Sequence, residues 1–198
     1  MRLRPGTRRA SSGFTLVELL ITITLLALLL GLAVPFFGGM IRNTRVRSVS
    51  EALQNGVRTA QAEAVRRNRQ VVFFLTNAEP ALNAPAAANG TFWAIQTVPQ
   101  ALDATETAAF IQGGALSDVA AGVTITGPAS ICFNSAGRLT NNAAPGVPGA
   151  NCTTAAAPVY NVAAVGADRP LRMTVSVGGQ TRMCDPARTM SSTSPEGC

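Results

Sequence analysis

The chain has 198 residues, of which 47% are hydrophobic and 13% charged, and it contains no histidine. This length fits one membrane segment followed by one globular domain, and no second domain is needed. Histidine is the commonest general base and metal ligand, and the 10 acidic residues form no recognisable catalytic motif. We therefore expect no enzymatic activity, no metal ion and no cofactor.

The formal net charge of +6 depends on the first nine residues, which contain Arg2, Arg4, Arg8 and Arg9. A basic segment before an apolar one keeps the N-terminus in the cytoplasm while the following residues are exported. The remaining chain has 12 arginines against 10 acidic residues and is almost neutral. The early arginines therefore act as a topology signal.

Residues 16–34 form an apolar stretch that is interrupted by one charge, Glu18. Its 19 residues are close to the ~20 that a helix needs to cross a bilayer. A charged side chain within such a helix costs roughly 2.5–3.5 kcal/mol and calls for a partner. A cut after Gly13 would supply one, because Phe14 would then carry a new ammonium group at the same depth.

The run GFTLVEL at residues 13–19, with the basic leader before it, resembles the class III signal of type IV pilins and pseudopilins. The resemblance implies that a prepilin peptidase cuts between Gly13 and Phe14 and methylates the new amine. It also implies that Glu18 is the family's fifth-residue glutamate, used in assembly, and that Pro35 is its helix-kinking proline. An ordinary signal anchor would leave Gly13-Phe14 unexplained.

Pro35 and the pair Gly38-Gly39 are expected to kink or locally melt the helix after the apolar stretch. Beyond them, apolar residues recur at spacings of three and four: Val46, Val49, Leu53, Val57, Ala60 and Ala64. The charged residues on the opposite side are Arg47, Glu51, Arg58, Arg66 and Arg69. The pattern predicts an amphipathic helix that continues to about Arg67 or Asn68, with its arginines solvated.

Strand patterns begin at Val71. Segments rich in β-branched and aromatic residues predict strands at residues 71–76 and 91–97, with weaker candidates at 122–126, 130–133 and 159–165. Three segments rich in Ala, Pro, Asn and Gly are predicted to be surface loops: residues 77–89, 99–117 and 141–158. Residues 104–110 are a candidate short helix.

The clearest strand covers residues 171–177, where apolar and polar side chains alternate. Gly178-Gly179 predicts a two-residue hairpin turn, with residues 180–184 as the returning strand. Under this turn Arg182 lies opposite Val175 on the apolar face, unless a bulge changes the register.

Four cysteines, all beyond the apolar stretch, are disulfide candidates: Cys132, Cys152, Cys184 and Cys198. Disulfides persist in the compartment to which this part of the chain would be exported, and the spacing fits no CxxC zinc or redox motif. Three pairings are possible. We favour the nearest-neighbour one, in which each bridge closes a polar loop that has little hydrophobic area of its own.

Three segments resemble the branch of the family that contains FimT, FimU and the secretion pseudopilin GspH: residues 62–68, 131–137 and 174–187. The resemblance implies an α+β, type IV pilin-like fold. In this fold a long N-terminal α-helix, transmembrane in its lower half, packs on an antiparallel β-sheet or β-sandwich domain. The expected parts are a prepilin leader (residues 1–13), a transmembrane helix (14–37), its amphipathic continuation (38–69) and a periplasmic β-rich domain (70–198).

The leading functional hypothesis is a minor pilin or pseudopilin, anchored in the bacterial inner membrane with its N-terminus cytoplasmic. Such a subunit assembles with other pilins into a filament, either a type II secretion pseudopilus or a type IV pilus. The sequence does not choose between these machines. A membrane-anchored enzyme is a less favoured alternative.

DNA binding for natural transformation is a second alternative, because some FimT-like pilins bind DNA through a Gly-Arg-x-Arg motif. Here Gln180 replaces the first arginine of that motif. The remaining candidate ligands are Arg182, Arg172, Arg138 and Arg188. Phosphate binding depends on several cations acting together, and scattered arginines are more often a solvated surface.

Overall fold

The computed structural model describes residues 13–100, 105–116 and 122–198, with the backbone alone for residues 32–37. The chain divides into two compact units, Met1–Gly38 and Gly39–Cys198. One helix, α1 (Leu16–Arg67), contributes residues to both. Its backbone stays helical through Pro35 and Gly38-Gly39, so the local melting expected there is not observed.

The C-terminal end of α1 is set by Asn68, which adopts a left-handed φ of 51°. The amide of Asn68 donates to the carbonyl of Val65 at 3.1 Å. The amide of Arg69 donates to the carbonyl of Ala64, also at 3.1 Å. These two bonds form a Schellman motif, which ends the helix at Arg67 as the sequence predicts.

Within the described residues, eight strands form two four-stranded antiparallel sheets. The strands are β1 (Val71–Thr76), β2 (Phe92–Thr97), β3 (Phe110–Ala115), β4 (Val123–Thr126), β5 (Ser130–Phe133), β6 (Val159–Ala164), β7 (Leu171–Val175) and β8 (Thr181–Cys184). The first sheet has the order β3-β2-β1-β5 and the second β4-β6-β7-β8. A long helix with two antiparallel sheets is the predicted α+β, pilin-like architecture.

The main hydrophobic core lies between α1 and the inner faces of both sheets. All six apolar residues of the predicted helical stripe are at most 1% exposed. They share this core with Phe73 and Trp93 of the first sheet and with Met173 of the second. Gly56 allows a close approach, because a Cβ built there would lie 2.9 Å from the Phe73 ring. The amphipathic-helix prediction is therefore confirmed.

A second hydrophobic cluster covers the outer face of the first sheet, so every residue of β1 is buried. Its buried members are Val72, Phe74, Ala84, Ala94, Val98, Cys132, Val147, Ala150 and Cys152. Several of them belong to the predicted loops at residues 77–89 and 141–158. The expectation that the loop closed by Cys132 and Cys152 has little hydrophobic area is therefore wrong, because small apolar side chains in it close over the sheet.

Two disulfides join the cysteines in the favoured pairing. Cys132–Cys152 is buried in the second cluster, and Cys184–Cys198 ties the C-terminal segment to β8. The bridged residues are 20 and 14 positions apart in sequence. Crosslinks of this length restrict the unfolded chain and typically stabilise the fold by about 3 kcal/mol each.

Strand β3 lies within a segment that was predicted to be a loop, residues 99–117. It pairs with β2 at one edge of the first sheet. Its sequence FIQGGA contains two glycines, which have little strand preference, and this composition hid the strand. The short helix predicted at residues 104–110 is also wrong for residues 105–110, which are not helical. Ala104 lies outside the described residues.

The hairpin between β7 and β8 has a three-residue turn and not the predicted two-residue turn. The amide of Ser176 donates to the carbonyl of Gln180 at 2.9 Å, which leaves Val177, Gly178 and Gly179 as the turn. Gly179 has a φ of 86°, the left-handed conformation that such turns need. Strand β7 consequently ends at Val175 and not at Val177. The other predicted strands agree with the structure to within one residue at each end.

The longer turn moves the hairpin register by one residue. Arg182 lies opposite Thr174, and Thr181 lies opposite Val175. Because neighbouring residues on a strand face opposite sides, Arg182 is on the outer face and not on the apolar face that the two-residue turn required. Its side chain is exposed accordingly.

The free edge of β5 is occupied by the chain that follows it. After a turn at residues 134–137, the amide of Thr140 donates to the carbonyl of Cys132 at 3.0 Å. The amide of Leu139 does not bond to β5 but donates to the carbonyl of Val177 at 3.0 Å. Leu139 thus links β5 of the first sheet to the hairpin turn of the second.

Candidate assembly surface

The first half of α1 is apolar and exposed on all sides. Every large apolar side chain from Phe14 to Leu30 is at least 51% exposed, and Phe14 itself is 85% exposed. A helix that is hydrophobic all round does not remain in water, because it gains free energy by burying that surface in lipid or against other helices. This segment is therefore the candidate assembly surface.

The two threonine hydroxyls in the middle of this segment are bonded to the backbone of the helix itself. The hydroxyl of Thr22 donates to the carbonyl of Leu19 at 2.8 Å. The hydroxyl of Thr24 donates to the carbonyls of Leu20 and Ile21 at 3.0 and 2.9 Å. An apolar environment tolerates hydroxyls that are bonded in this way. The two threonines therefore do not prevent burial of the helix.

Glu18 is placed in the first turn of α1 by Thr15. The amide of Glu18 donates to Oγ1 of Thr15 at 3.2 Å, and the amide of Leu19 donates to the Thr15 carbonyl at 3.1 Å. A carboxylate in the first turn is favoured by the helix dipole, and this is the ordinary structural role for Glu18. Among the described residues, however, its carboxylate has no hydrogen-bond or ion-pair partner.

One expected property of this helix is not seen. No described helix contains an apolar segment of the length and hydropathy needed to cross a membrane.

The arginines on the second half of α1 bind groups of the same subunit, as expected for a solvated face. Arg47 bonds to Glu51 at 2.8 Å, and Arg58 donates to the hydroxyl of Thr181 at 3.0 Å. Arg69 pairs with Glu106. These contacts use the guanidinium groups locally.

Arg66 and Arg67 both pair with Glu63, at 2.6 and 2.7 Å. The hydrogen bond from Arg66 has the largest effect on the pKa of Glu63, and the one from Arg67 adds to it. Together they lower this pKa from 4.5 to about 2. Two cations thus share one carboxylate at the end of the helix.

Replacement of Glu63 by glutamine is expected to destabilise the domain by up to about 1 kcal/mol above pH 5, because exposed ion pairs are weak. Because the pKa of Glu63 is lower in the folded protein, its ion pairs stabilise the fold fully above pH 4.5. This contribution is lost as the pH falls towards 2. Urea unfolding of both proteins in detergent, from pH 7 to 2, tests this prediction. A stability difference that does not shrink below pH 4.5 would contradict it.

Two of the candidate DNA ligands contact the C-terminal segment. Arg182 donates to the carbonyl of Gly197 at 2.9 Å. Arg188 lies between two carboxylates, that of Glu196 and that of Asp185 at 3.7 Å. The structure therefore brings both arginines to one segment, where carboxylates neutralise Arg188 and a backbone carbonyl engages Arg182.

The other two candidate DNA ligands, Arg172 and Arg138, do not bond to the described C-terminal segment. Arg172 donates to the side chain of Asn161 at 2.8 Å. Arg138 is exposed, and its guanidinium bonds to none of the described residues. Because most of the candidate cations are engaged, the structure gives no specific support to a phosphate-binding patch, and we do not propose DNA binding.

Two families match the chain. The prokaryotic N-terminal methylation motif matches residues 8–34. The family described as type II transport protein GspH matches residues 49–179, which is about two thirds of the chain. The chain belongs to the GspH family. It is a minor pilin or pseudopilin, a structural subunit of a type II secretion system or a type IV pilus, and this family implies assembly with other pilins.

Solved structures of pilin-like proteins resemble this GspH-family chain at low identity. The minor pilin FimU of Pseudomonas aeruginosa PAO1 is 17% identical over 78% of this chain and 96% of its own, with a TM-score of 0.49. The minor pseudopilin EpsH of the Vibrio cholerae type 2 secretion system is 12% identical over 71% and 96%, with a TM-score of 0.44. Escherichia coli GspH is 13% identical over 76% and 95%, with a TM-score of 0.45. No curated protein sequence matches the chain.

Proposed function

We propose that the subunit is made as a precursor, that a prepilin peptidase cuts it after Gly13, and that the new amine of Phe14 is methylated. Residues 14–37 then anchor it in the inner membrane, with the N-terminus cytoplasmic and the β-rich domain periplasmic. The match of residues 8–34 to the methylation motif supports this proposal. The two disulfides agree with an oxidising compartment for the domain.

The carboxylate of Glu18 pairs with no residue in the described part of the chain, and this observation carries the assembly mechanism. It lies among residues 14–30, where the other side chains are apolar or bonded within the helix. A carboxylate buried there without a partner would be costly. We propose that it accepts a hydrogen bond from the Phe14 ammonium group of an adjacent subunit.

This pairing sets the axial register of the filament while the apolar helices pack around it. Opposite charges attract more strongly away from water. The ion pair therefore favours one axial register over others that apolar packing alone would leave similar in free energy. A secretion pseudopilus and a type IV pilus both need such a subunit. The proposed mechanism applies to either filament.

Mass spectrometry of the purified protein is expected to show an N-terminus that begins at methylated Phe14. Gly13→Leu is expected to prevent the cut, and Gly31→Leu is the matched control. A Cβ at either glycine meets no described atom within 4 Å, so the two sites are comparably open to a larger side chain. An intact leader on the unmodified chain would contradict the proposed processing.

A further inference from the structure

The loop between β6 and β7, residues 165–170, is held against the first exported turn of α1. Nε of Arg42 donates to the carbonyl of Gly166 at 2.7 Å. Gly166 has a φ of 72°, and a Cβ built on it would lie 3.0 Å from that guanidinium. The side chain of Arg42 thus supports the loop directly behind its tip.

A second contact fixes the other side of this β6–β7 loop. Oδ1 of Asn43 accepts two backbone hydrogen bonds, from the amides of Asp168 at 3.0 Å and Arg169 at 3.2 Å. Two neighbouring helix residues therefore hold both halves of the loop. Its tip has a defined position relative to residues 39–43.

The tip of the loop is Val165, whose side chain is 92% exposed. The adjoining turn of α1 also exposes apolar side chains, with Met40 at 68% and Ile41 at 51%. Single exposed apolar residues are common, but here they occur on two elements that are bonded together. Exposure of such an apolar surface to water is unfavourable.

The same two elements carry an excess of positive charge. Residues 39–47 contain Arg42, Arg45 and Arg47 and no acidic residue, and of these Arg47 pairs with Glu51 one turn further along. The loop adds Arg169 with Asp168. The guanidinium of Arg169 is exposed and bonds to none of the described residues. This surface therefore combines an apolar tip with cations, the combination that suits a bilayer interface.

The proposed bilayer lies within reach of these residues. Five peptide units separate Phe37, the last residue of the proposed membrane segment, from Arg42. They span at most about 18 Å even when fully extended. The polar region on each side of a bilayer is roughly 5–8 Å thick. Arg42 and the loop bonded to it are consequently confined to the neighbourhood of the lipid head groups.

We propose that the β6–β7 loop is a membrane-surface contact, in which Val165 enters the head-group layer and Arg169 binds the phosphates of anionic phospholipids. This inference rests on the proposed membrane anchoring. A second copy of the chain is a poor occupant, because it would place the same arginines against each other. A nucleic-acid backbone would bind the cations but would leave Val165 exposed.

The contact would act on the subunit before assembly. It would hold the domain close to the outer surface of the inner membrane while the helix is in the bilayer. Extraction into a filament would break it. The loop would therefore contribute to the free energy that separates the membrane-stored subunit from the assembled one.

Spin labels on the full-length chain in nanodiscs of phosphatidylcholine and phosphatidylglycerol test the proposal. The labelled variants are Val165→Cys and, as a matched control, Val177→Cys at the opposite end of β7. Val177 is also an exposed turn valine, 47% accessible. The label at position 165 is expected to be accessible to oxygen and protected from a water-soluble nickel chelate, whereas the label at 177 is expected to be accessible to the chelate.

Arg169→Gln is expected to shift the docking equilibrium of the loop by about fivefold towards water in the anionic nanodiscs. In nanodiscs of phosphatidylcholine alone, this substitution is expected to have a smaller effect. Equal effects in the two lipids would contradict a phosphate contact. Protection of position 165 that needs a second subunit, and not anionic lipid, would assign the tip to a protein interface and overturn the proposal.

A label at Leu25→Cys separates this inference from the anchoring on which it depends. If the label at 25 is in the bilayer and the label at 165 is in water, only the loop contact is wrong. If the label at 25 is also in water, the anchoring itself fails.

Discussion

Replacement of Glu18 by alanine is expected to abolish incorporation of the subunit into filaments and to leave membrane insertion intact. The substitution removes the carboxylate that would pair with the Phe14 ammonium group and leaves that cation unpaired between apolar helices. Loss of one partner of a buried ion pair typically costs 3–5 kcal/mol, which is at least about a hundredfold in the equilibrium constant. Insertion should improve slightly, because the helix loses a charge.

Co-purification of the variant with the other pilins, together with membrane fractionation, measures the two effects separately. Glu51→Ala is the matched control, since Glu51 is an exposed glutamate of the same helix and pairs with Arg47 at the surface. It is expected to assemble normally. Normal incorporation of the Glu18→Ala subunit would show that Glu18 has only its local role in the first helical turn.

Replacement of Gly179 by alanine is expected to destabilise the β-rich domain by about 3 kcal/mol or more. The residue has a φ of 86°, which costs a non-glycine residue about 1–2 kcal/mol. The new Cβ would also overlap the carbonyl oxygen of Gly137 and the carboxamide of Gln61, which are hydrogen-bonded to each other at 2.8 Å. Backbone that is held in place in this way does not move aside cheaply.

Gly178→Ala provides the control for this prediction, because the two glycines are neighbours in the same turn. A Cβ at Gly178 meets only Oγ of Ser176, at 3.7 Å, which is ordinary contact. We expect its thermal midpoint to remain within a few degrees of the unmodified protein. For a domain of this size, the midpoint of Gly179→Ala should fall by roughly 6–12 °C. Similar midpoints for the two variants would contradict the packing described for the turn.

The sequence predicted those parts of the fold whose pattern is repeated over many residues. The stripe from Val46 to Ala64 has the helical period over five turns, and the structure buries each of its members. The end of α1 was also predictable, because an Arg-Asn pair precedes a run of β-branched residues at Val71. In these places local preference and tertiary packing favour the same structure.

Features that depend on a single residue or on a distant partner were not predictable. Gly178-Gly179 suits a two-residue turn in isolation, but the bond from Leu139 to Val177 and the contact with Gln61 select the longer one. The second cluster is built from alanines and valines of two loops whose composition is typical of exposed connectors. Their burial depends on packing against the outer face of the first sheet, which a local pattern does not reveal.

The residues of the candidate assembly surface, in contrast, could be predicted from the sequence. The identities of Gly13, Phe14 and Glu18 are conspicuous in the sequence because their spacing forms a motif. The structure adds that no described residue pairs with the Glu18 carboxylate and that the surrounding helix surface is exposed. The β6–β7 loop was not found from the sequence, because long-range contacts, among them the hydrogen bonds of Arg42 and Asn43, place it beside residues 39–43 of α1.

The return of the chain along β5 also bears on solubility. An unpaired strand edge offers a row of amide and carbonyl groups to any other chain, and it is a common origin of aggregation. Because Thr140 and Leu139 occupy the edge of β5 and continue to the turn of the second sheet, that side of the domain has no template for sheet extension. A neighbouring chain is thus prevented from adding a strand at the β5 edge of the first sheet.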